Sequence, residues 1–533
     1  MKLFFRQNKY QFYILVIFLI AELIVNPIGE FPLNDDWAYA EAVMSFLKSG
    51  VINFGNFPAM TLFTHLLWGS LFTKIFGFSL FLLRLSTLIS AYVGLWFLFK
   101  LIHQITENNT VSLLACLVLL FNPIYFNLSN TFMTDVSFCS LTIICVYLAH
   151  NYFLTRKPSY FYGFVISAVF LMLTRQYGII IPFCFLAAAL FDKGFIKKTI
   201  SMSLFAILVV YFSLRIYEVY LKAHLPSGSE YKFSSNIKIF DDVFWIKFWY
   251  SLTIRYKEIA QHLFVYIAPL AIFYFKRFVS ETNVKLSIFL LVNTLFLTLL
   301  FFTGYISNSI SIFSNMMLGP ETFYESFKGA RHNSFPLFDT WLYAVKFLLS
   351  FISIFVISAA LISAFTRDNK TNTPKPILVF LISFLVLYIF MLLITESYFD
   401  RYHLPLIIVF LLLFVWLLKA YTIKVRFGLI ALIIFALFAI LGTKDYLEWN
   451  RQRWAAYHYL RAMNVERDKI NAGFEPRCWN EGVGKGLKPF LELEGFDYLI
   501  QFNGAERFKP IKEFPFQRYF PFRKDKIVVF KRE

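Results

Sequence analysis

The sequence predicts an all-α polytopic membrane protein of about 13 transmembrane helices, with outer interfacial helices in the first loop and a small α/β extracytoplasmic C-terminal domain. Three observations predict it. Of 533 residues, 58% are hydrophobic, 20% aromatic and only 16% charged, against roughly a quarter charged in an ordinary globular chain; the mean hydropathy is +0.61. Apolar stretches approach ~20 residues, the length that crosses a hydrocarbon core of about 30 Å. The 51 Lys and Arg against 33 Asp and Glu leave a net charge of +18, and these charges lie between the apolar segments. That placement reads as membrane topology rather than nucleic-acid binding. A soluble multidomain protein is excluded.

In chain order, Lys2, Arg6 and Lys9 precede a first apolar segment that runs into Glu30 and Pro32 without a small-residue cleavage site, so it is read as a retained span. The candidate spans are Gln11–Pro27, Leu80–Ile102, Val111–Leu128, Val136–Leu154, Tyr160–Leu173, Gly178–Leu190 and Thr199–Tyr217. They continue with Gln261–Phe275, Lys285–Tyr305, Trp341–Phe365, Pro376–Thr395, Tyr402–Leu418 and Phe427–Gly442. With the N-terminus cytoplasmic, Arg156 and Lys157, Lys193, Lys197 and Lys198, Lys276 and Arg277, Arg367 and Lys370, and Lys419, Lys424 and Arg426 all fall on the inner side. The facing short loops hold almost no Lys or Arg, as the positive-inside rule requires. The expected location is the inner (plasma) membrane.

Met60–Phe76 is apolar enough to cross, but counting it would invert every later loop. Broken by His65, Trp68 and Lys74, it is read as a helix in the outer interface. Residues 443–533 are rich in charge, carry turn signals at Gly473–Pro476 and Gly482–Gly486, and contain strand-like runs at Asp497–Phe502 and Lys526–Phe530. The expected domains are therefore 1–442, with its first outer loop at 30–79, and 443–533. The five cysteines have no ligand spacing and read as lipid-facing or packed thiols. P-loop, paired CxxC, GxSxG and HExxH patterns are absent.

The chemistry-bearing residues cluster at outer loop ends. Asp35 and Asp36 open an amphipathic segment in which Trp37, Ala40, Met44 and Leu47 recur at helical spacing. A carboxylate next to hydrocarbon is partly desolvated and becomes a better general base; the alternative is N-capping. Asp135, in Thr131-Phe-Met-Thr-Asp135, is either a helix cap or a second carboxylate facing the same outer cavity. Two such carboxylates divide acceptor activation and orientation between them, or hold a divalent cation. The ligand set is too sparse to assign a metal. Arg175 lies between two apolar runs, and Arg401, Tyr402 and His403 follow Asp400. A planar guanidinium fork suits phosphate, and ionisable residues at membrane depth point to function; the alternatives are snorkelling or an Asp400–Arg401 ion pair. Arg331 and His332 add cations in a long outer loop.

These motifs, in this order, resemble the polyprenyl-phosphate-sugar-dependent membrane glycosyltransferases of the C-type superfamily, which include protein O-mannosyltransferases and the lipid A aminoarabinose transferase. The similar features are Asp35, Asp36, Tyr39, Ala40 and Glu41, then Pro58, Gly77 and Arg84, the Met-Thr-Asp135 and Leu-Thr-Arg175 turns, and Arg401-Tyr402 with Pro405. The chain departs in having Asp at 36 where many relatives have Glu, and in lacking Lys before Pro58. The resemblance implies inverting transfer of a sugar from a polyprenyl-phosphate donor to a hydroxyl of a lipid, glycan or protein acceptor at the outer face. It implies Asp35 as base, Asp36 and Asp135 as supporting carboxylates, Arg175, Arg401 and Tyr402 at the donor phosphate, and Tyr39, Glu41, Arg331 and His332 as donor or acceptor contacts. The rival readings are a flippase for a lipid-linked saccharide, against which the lack of an internal repeat speaks, and a polysaccharide polymerase or ligase.

Overall fold

The computed structural model describes residues 8–52, 60–224, 242–281, 284–302, 336–366, 375–395, 398–423, 425–479, 495–502, 504, 506–519 and 522–533. Helices dominate: α1 Lys9–Val25, α2 Asp36–Ser49, α3 Phe63–Phe76, α4 Leu80–Thr106, α5 Asn109–Leu120, α6 Pro123–Ser129, α7 Thr134–Thr155, α8 Pro158–Thr174, α9 Ile180–Ala189 and α10 Ile196–His224. There follow α11 Asp242–Glu281, α12 Val284–Phe302, α13 Pro336–Thr366, α14 Lys375–Ile394, α15 Leu404–Leu418, α16 Val425–Ala462 and the short α17 Phe474–Cys478.

The expected count of about 13 crossings is not reached. Among the described residues nine helices are long and apolar enough to cross a membrane, or ten if α5 and α6, bent by 69°, form one broken span. Three expected spans form shorter helices instead. The segment at Gln11–Pro27 becomes the 17-residue α1. Tyr160–Leu173 and Gly178–Leu190 become Pro158–Thr174 and Gln176–Ala189, separated only by Arg175. Hydropathy marked these runs correctly as apolar; helix length divides them from the long ones. The opposite error occurs at Gln261–Phe275, because α11 runs 40 residues with Pro269 inside it. Its polar Arg255, Lys257 and Glu258 hid the continuation. At Met60–Phe76 the helix is 14 residues long and buries His65, Leu66, Ser70 and Phe72.

Close helix packing has a local cause. A Cβ at Gly94 would lie 2.5 Å from Ser140 Oγ, so α4 and α7 approach as closely as they do because this position is bare, and Ser140 Oγ then donates to Ser90 O at 2.7 Å. The C-terminal sheet has the order β1-β2-β4-β3, with β1 Ile470–Asn471, β2 Tyr498–Gln501, β3 Phe508–Tyr519 and β4 Phe522–Arg532. β1 and β2 are parallel and the other pairs antiparallel. β2 and β4 are the two strand-like runs read from sequence. β3 was missed because Pro510 and Pro515 interrupt it; it is an edge strand, where a missing amide donor is tolerated. α16 continues without a break through residue 442 and into contact with the sheet, where Asp445 Oδ1 accepts from Tyr519 N at 2.5 Å.

Candidate active site

The first loop is held from both sides before it reaches its acidic pair. The Arg84 guanidinium donates to Pro27 O and Gly29 O at 3.0 Å and to Phe31 O. Arg451, from α16, donates to Asn26 O and to Ile28 O at 3.0 Å. Glu30 accepts from Leu80 N at 2.8 Å, satisfying an orphan amide at the start of α4. The chain then turns at Asn34, whose φ of 52° is left-handed, and enters α2.

The two adjacent carboxylates part company here. Asp36 is buried, 1% exposed; its oxygens accept from Leu33 N and, at 3.2 Å, from Phe132 N. Burial pushes its pKa up to about 7, against the pull of Arg84 and the two amides. Asp36 thus ties α2 to the turn preceding α7. Asp35 occupies the N-cap position, but its Oδ2 meets Arg401 Nη2 at 3.2 Å instead of capping the helix. Its side chain is 18% exposed, against 4% for Arg401.

A second pair lies beside the first. Arg175 Nη2 stands 2.9 Å from Asp135 Oδ1, with side chains 4% and 2% exposed, and Arg175 Nε donates to Thr134 Oγ1 at 2.7 Å. Arg175 is placed by a sharp reversal: α8 ends at Thr174, Gly178 N donates back to Arg175 O at 2.9 Å, and a Cβ at Gly178 would come within 2.6 Å of Met172 N. Tyr402 joins the pairs, its ring centroid 5.2 Å from the Arg175 guanidinium carbon and 5.6 Å from that of Arg401. The Tyr39 hydroxyl feels the charges of Asp35, Arg175, Arg401 and Asp135 together, and donates to Met60 Sδ at 3.1 Å. Burial, with Asp35 next in weight, keeps it well above its ordinary pKa, so it remains a neutral donor.

Six of the expected residues, Asp35, Asp135, Arg175, Arg401, Tyr402 and Tyr39, are therefore brought into one polar centre. Glu41 is half-buried on the next turn of α2, where its charge is felt by the Cys478 thiol of α17. Arg331, His332 and Pro58 lie outside the described residues. Among the described residues no three His, Cys, Asp or Glu side chains gather as a metal-ligating group. Sequence reading missed Glu475, whose Oε1 accepts from Asn34 N at 3.0 Å. It also missed the role of His65, which stacks on Phe132 at 4.1 Å and bonds Phe132 O and Ser137 Oγ, each at 3.1 Å. His65 had been visible only as a break in an apolar face.

Residues 63–217 match the family of dolichyl-phosphate-mannose-protein mannosyltransferases. The resemblance to polyprenyl-phosphate-sugar-dependent glycosyltransferases read from the motifs is borne out by this match, which contains Asp135 and Arg175 but neither Asp35 nor Arg401. It supports the coarse class of a membrane glycosyltransferase with a lipid-linked donor. No curated protein matches the chain. Among solved structures the chain is similar to ArnT from Cupriavidus metallidurans bound to undecaprenyl phosphate, at 13% identity over 86% of this chain and 81% of that one, with a TM-score of 0.40. For the apo state of ArnT the values are 12%, 97%, 97% and 0.41. It is also similar to the archaeal oligosaccharyltransferase AglB from Archaeoglobus fulgidus, in complex with an inhibitory peptide and a dolichol-phosphate, at 14% identity over 86% of this chain and 58% of that one, with a TM-score of 0.40.

Proposed function

We propose that the chain is an inverting transferase that moves a sugar from a polyprenyl-phosphate donor to an acceptor hydroxyl of a lipid, glycan or protein at the outer face of the membrane. The observation that carries this reading is the meeting of Asp35 and Arg401, 366 residues apart in sequence, at 3.2 Å beside the Asp135–Arg175 pair. A carboxylate able to take a proton and two guanidinium groups able to meet a phosphate thereby share one centre, the groups that displacement of a phosphate by a hydroxyl needs.

In the proposed step the acceptor oxygen attacks the anomeric carbon and its proton passes to Asp35. The bond between that carbon and the phosphate oxygen breaks, and the electron pair leaves with the phosphate. The charge growing on the phosphate is met by Arg401 and, behind it, Arg175. Arg175 is held by three partners, Asp135, Thr134 and the Tyr402 ring, and is suited to a fixed field. Arg401 touches the more open carboxylate and is suited to direct phosphate contact. Asp36, given as a supporting carboxylate by the resemblance, acts in this reading through its hold on Leu33 N and Phe132 N rather than on substrate.

The test is an assay of purified protein with polyprenyl-phosphate sugar and acceptor. Release of free polyprenyl phosphate with an inverted product supports the proposal. Translocation of the lipid-linked sugar without bond cleavage would make the protein a flippase, and turnover only with a diphosphate-linked donor would make it a polymerase or ligase.

A further inference from the structure

The acidic loop is completed by the far end of the chain. Glu475, in α17, is fully buried and divides its carboxylate between two partners. Its Oε1 accepts from Asn34 N at 3.0 Å across 441 residues of sequence, and its Oε2 meets Arg453 Nη1 at 2.9 Å. Arg453 is itself fixed, with Nη2 donating to Asn450 Oδ1 at 2.7 Å and the guanidinium carbon 4.5 Å from the Trp449 ring centre. Asn34 holds the left-handed conformation immediately before Asp35, a backbone state that Asn adopts more readily than other non-glycine residues, and its amide there points to the Glu475 carboxylate. Two residues on, Asp36 fixes the other side of the turn through Leu33 N and Phe132 N. Asp35 lies between these two anchors, and its own direction depends on both. α17 is near enough for the Cys478 thiol to feel Asp35 and Glu41.

We infer that Glu475 is a positioning residue for Asp35: it holds the Asn34 amide, and so the entry to α2, in the one pose that aims the Asp35 carboxylate at Arg401 and the acceptor. This deepens the function proposed above and rests on Asp35 being the base. The C-terminal region is on this account part of the catalytic apparatus, contributing a carboxylate that never touches substrate. Arg453 offsets the cost of burying that carboxylate, since removing one member of a buried pair leaves the other charge unpaired.

The experiment compares Glu475→Ala, Asp35→Asn and the double variant in the full-length protein, measuring single-turnover release of polyprenyl phosphate, donor affinity and thermal stability. A displaced base costs roughly 10- to 100-fold in turnover, so Glu475→Ala is expected to lower kcat by that factor with donor KM within about twofold of the parent. In the Asp35→Asn background the same change is expected to do almost nothing, because a positioning residue acts only through the group it positions. Glu475→Asp keeps the charge opposite Arg453 but withdraws the oxygen from Asn34 N; it decides the matter if the alanine variant does not fold, with lowered kcat and unchanged donor affinity expected. The inference is overturned if a folded Glu475→Ala or Glu475→Asp turns over normally, or if the loss persists undiminished beside Asp35→Asn. If Asp35→Asn alone is fully active, the base reading itself fails, and with it this inference.

Discussion

The two acid–base pairs look alike and are built differently. Asp135 and Arg175 are both buried, and Arg175 Nε also donates to Thr134 Oγ1, whereas Arg401 is backed by the rings of Phe399 and Tyr402. Asp35 and Arg401 meet at the longer distance of 3.2 Å, and only the arginine is buried. A buried pair that loses one member leaves an uncompensated charge, whereas a half-open carboxylate can be hydrated. The inner pair is therefore organised to stay as it is, and the outer pair to exchange partners. On the mechanism proposed above, phosphate arriving at Arg401 would compete with Asp35 for the guanidinium and free the carboxylate for the acceptor.

The sharpest way to break this contrast is Asp35→Asn, which keeps size and capping ability but removes the base. Loss of a general base typically costs about 100- to 10,000-fold, and we expect that loss in polyprenyl phosphate release from a protein that still folds and inserts. Near-normal turnover would reduce Asp35 to an ion-pair partner of Arg401. Arginine replacements come next. Arg401→Ala is expected to lower kcat and kcat/KM together by about 100- to 1,000-fold, as loss of a transition-state charge contact does, with Arg401→Lys intermediate because the planar fork is gone. Arg175→Ala is expected to fail first in stability, by roughly 3–5 kcal/mol, because Asp135 is left buried and unpaired. Chemical denaturation in detergent reads this directly, and equal stabilities for the Arg175 and Arg401 alanine variants would erase the distinction between the pairs.

A stability loss of similar size is expected at Asp36→Ala, which strands the Leu33 and Phe132 amides. Each unsatisfied buried group costs about 1–3 kcal/mol, so stability should drop before catalysis is examined at all. A pH effect is expected at His65. Burial holds its pKa down to about 4, with Phe132 O opposing and Arg175 assisting. A His with a lowered folded pKa contributes stability that is full above its unfolded value near 6.5 and is lost as pH falls toward about 4, because the unfolded chain takes up the proton first. Melting temperature should fall over that window, and His65→Gln should flatten the fall; an unchanged slope would show that other groups set it.

The legibility of these features in the sequence followed their chemistry. Apolar runs gave the helical positions, since burial in lipid selects composition residue by residue, but they did not give length. The polar turns of α11 and the short reach of α8 and α9 depend on neighbours far away in sequence. Asp35, Asp135, Arg175 and Arg401 were readable because a charge beside a long apolar run is costly and stands out. Asp35 and Asp36 were indistinguishable as letters; only the nearness of Phe132 N to one and Arg401 to the other separates them. Glu475 was hidden for the opposite reason, lying in a stretch already rich in charge where one more carboxylate carries no signal.

The 38 residues of α16 span about 57 Å at 1.5 Å per residue, well beyond a bilayer core, and they carry Arg451, which holds the carbonyls of Asn26 and Ile28, and Arg453, which holds Glu475. Time enters here. Asn34 leaves the ribosome 441 residues before Glu475, an interval of roughly 20–90 s at typical synthesis rates of ~5–20 residues per second. Through that interval the first loop lacks its final clasp, and on the account given above the base is not yet aimed. On the proposal made above, a chain that has not yet added Glu475 would carry Asp35 and Arg401 but would lack the carboxylate that holds the Asn34 amide.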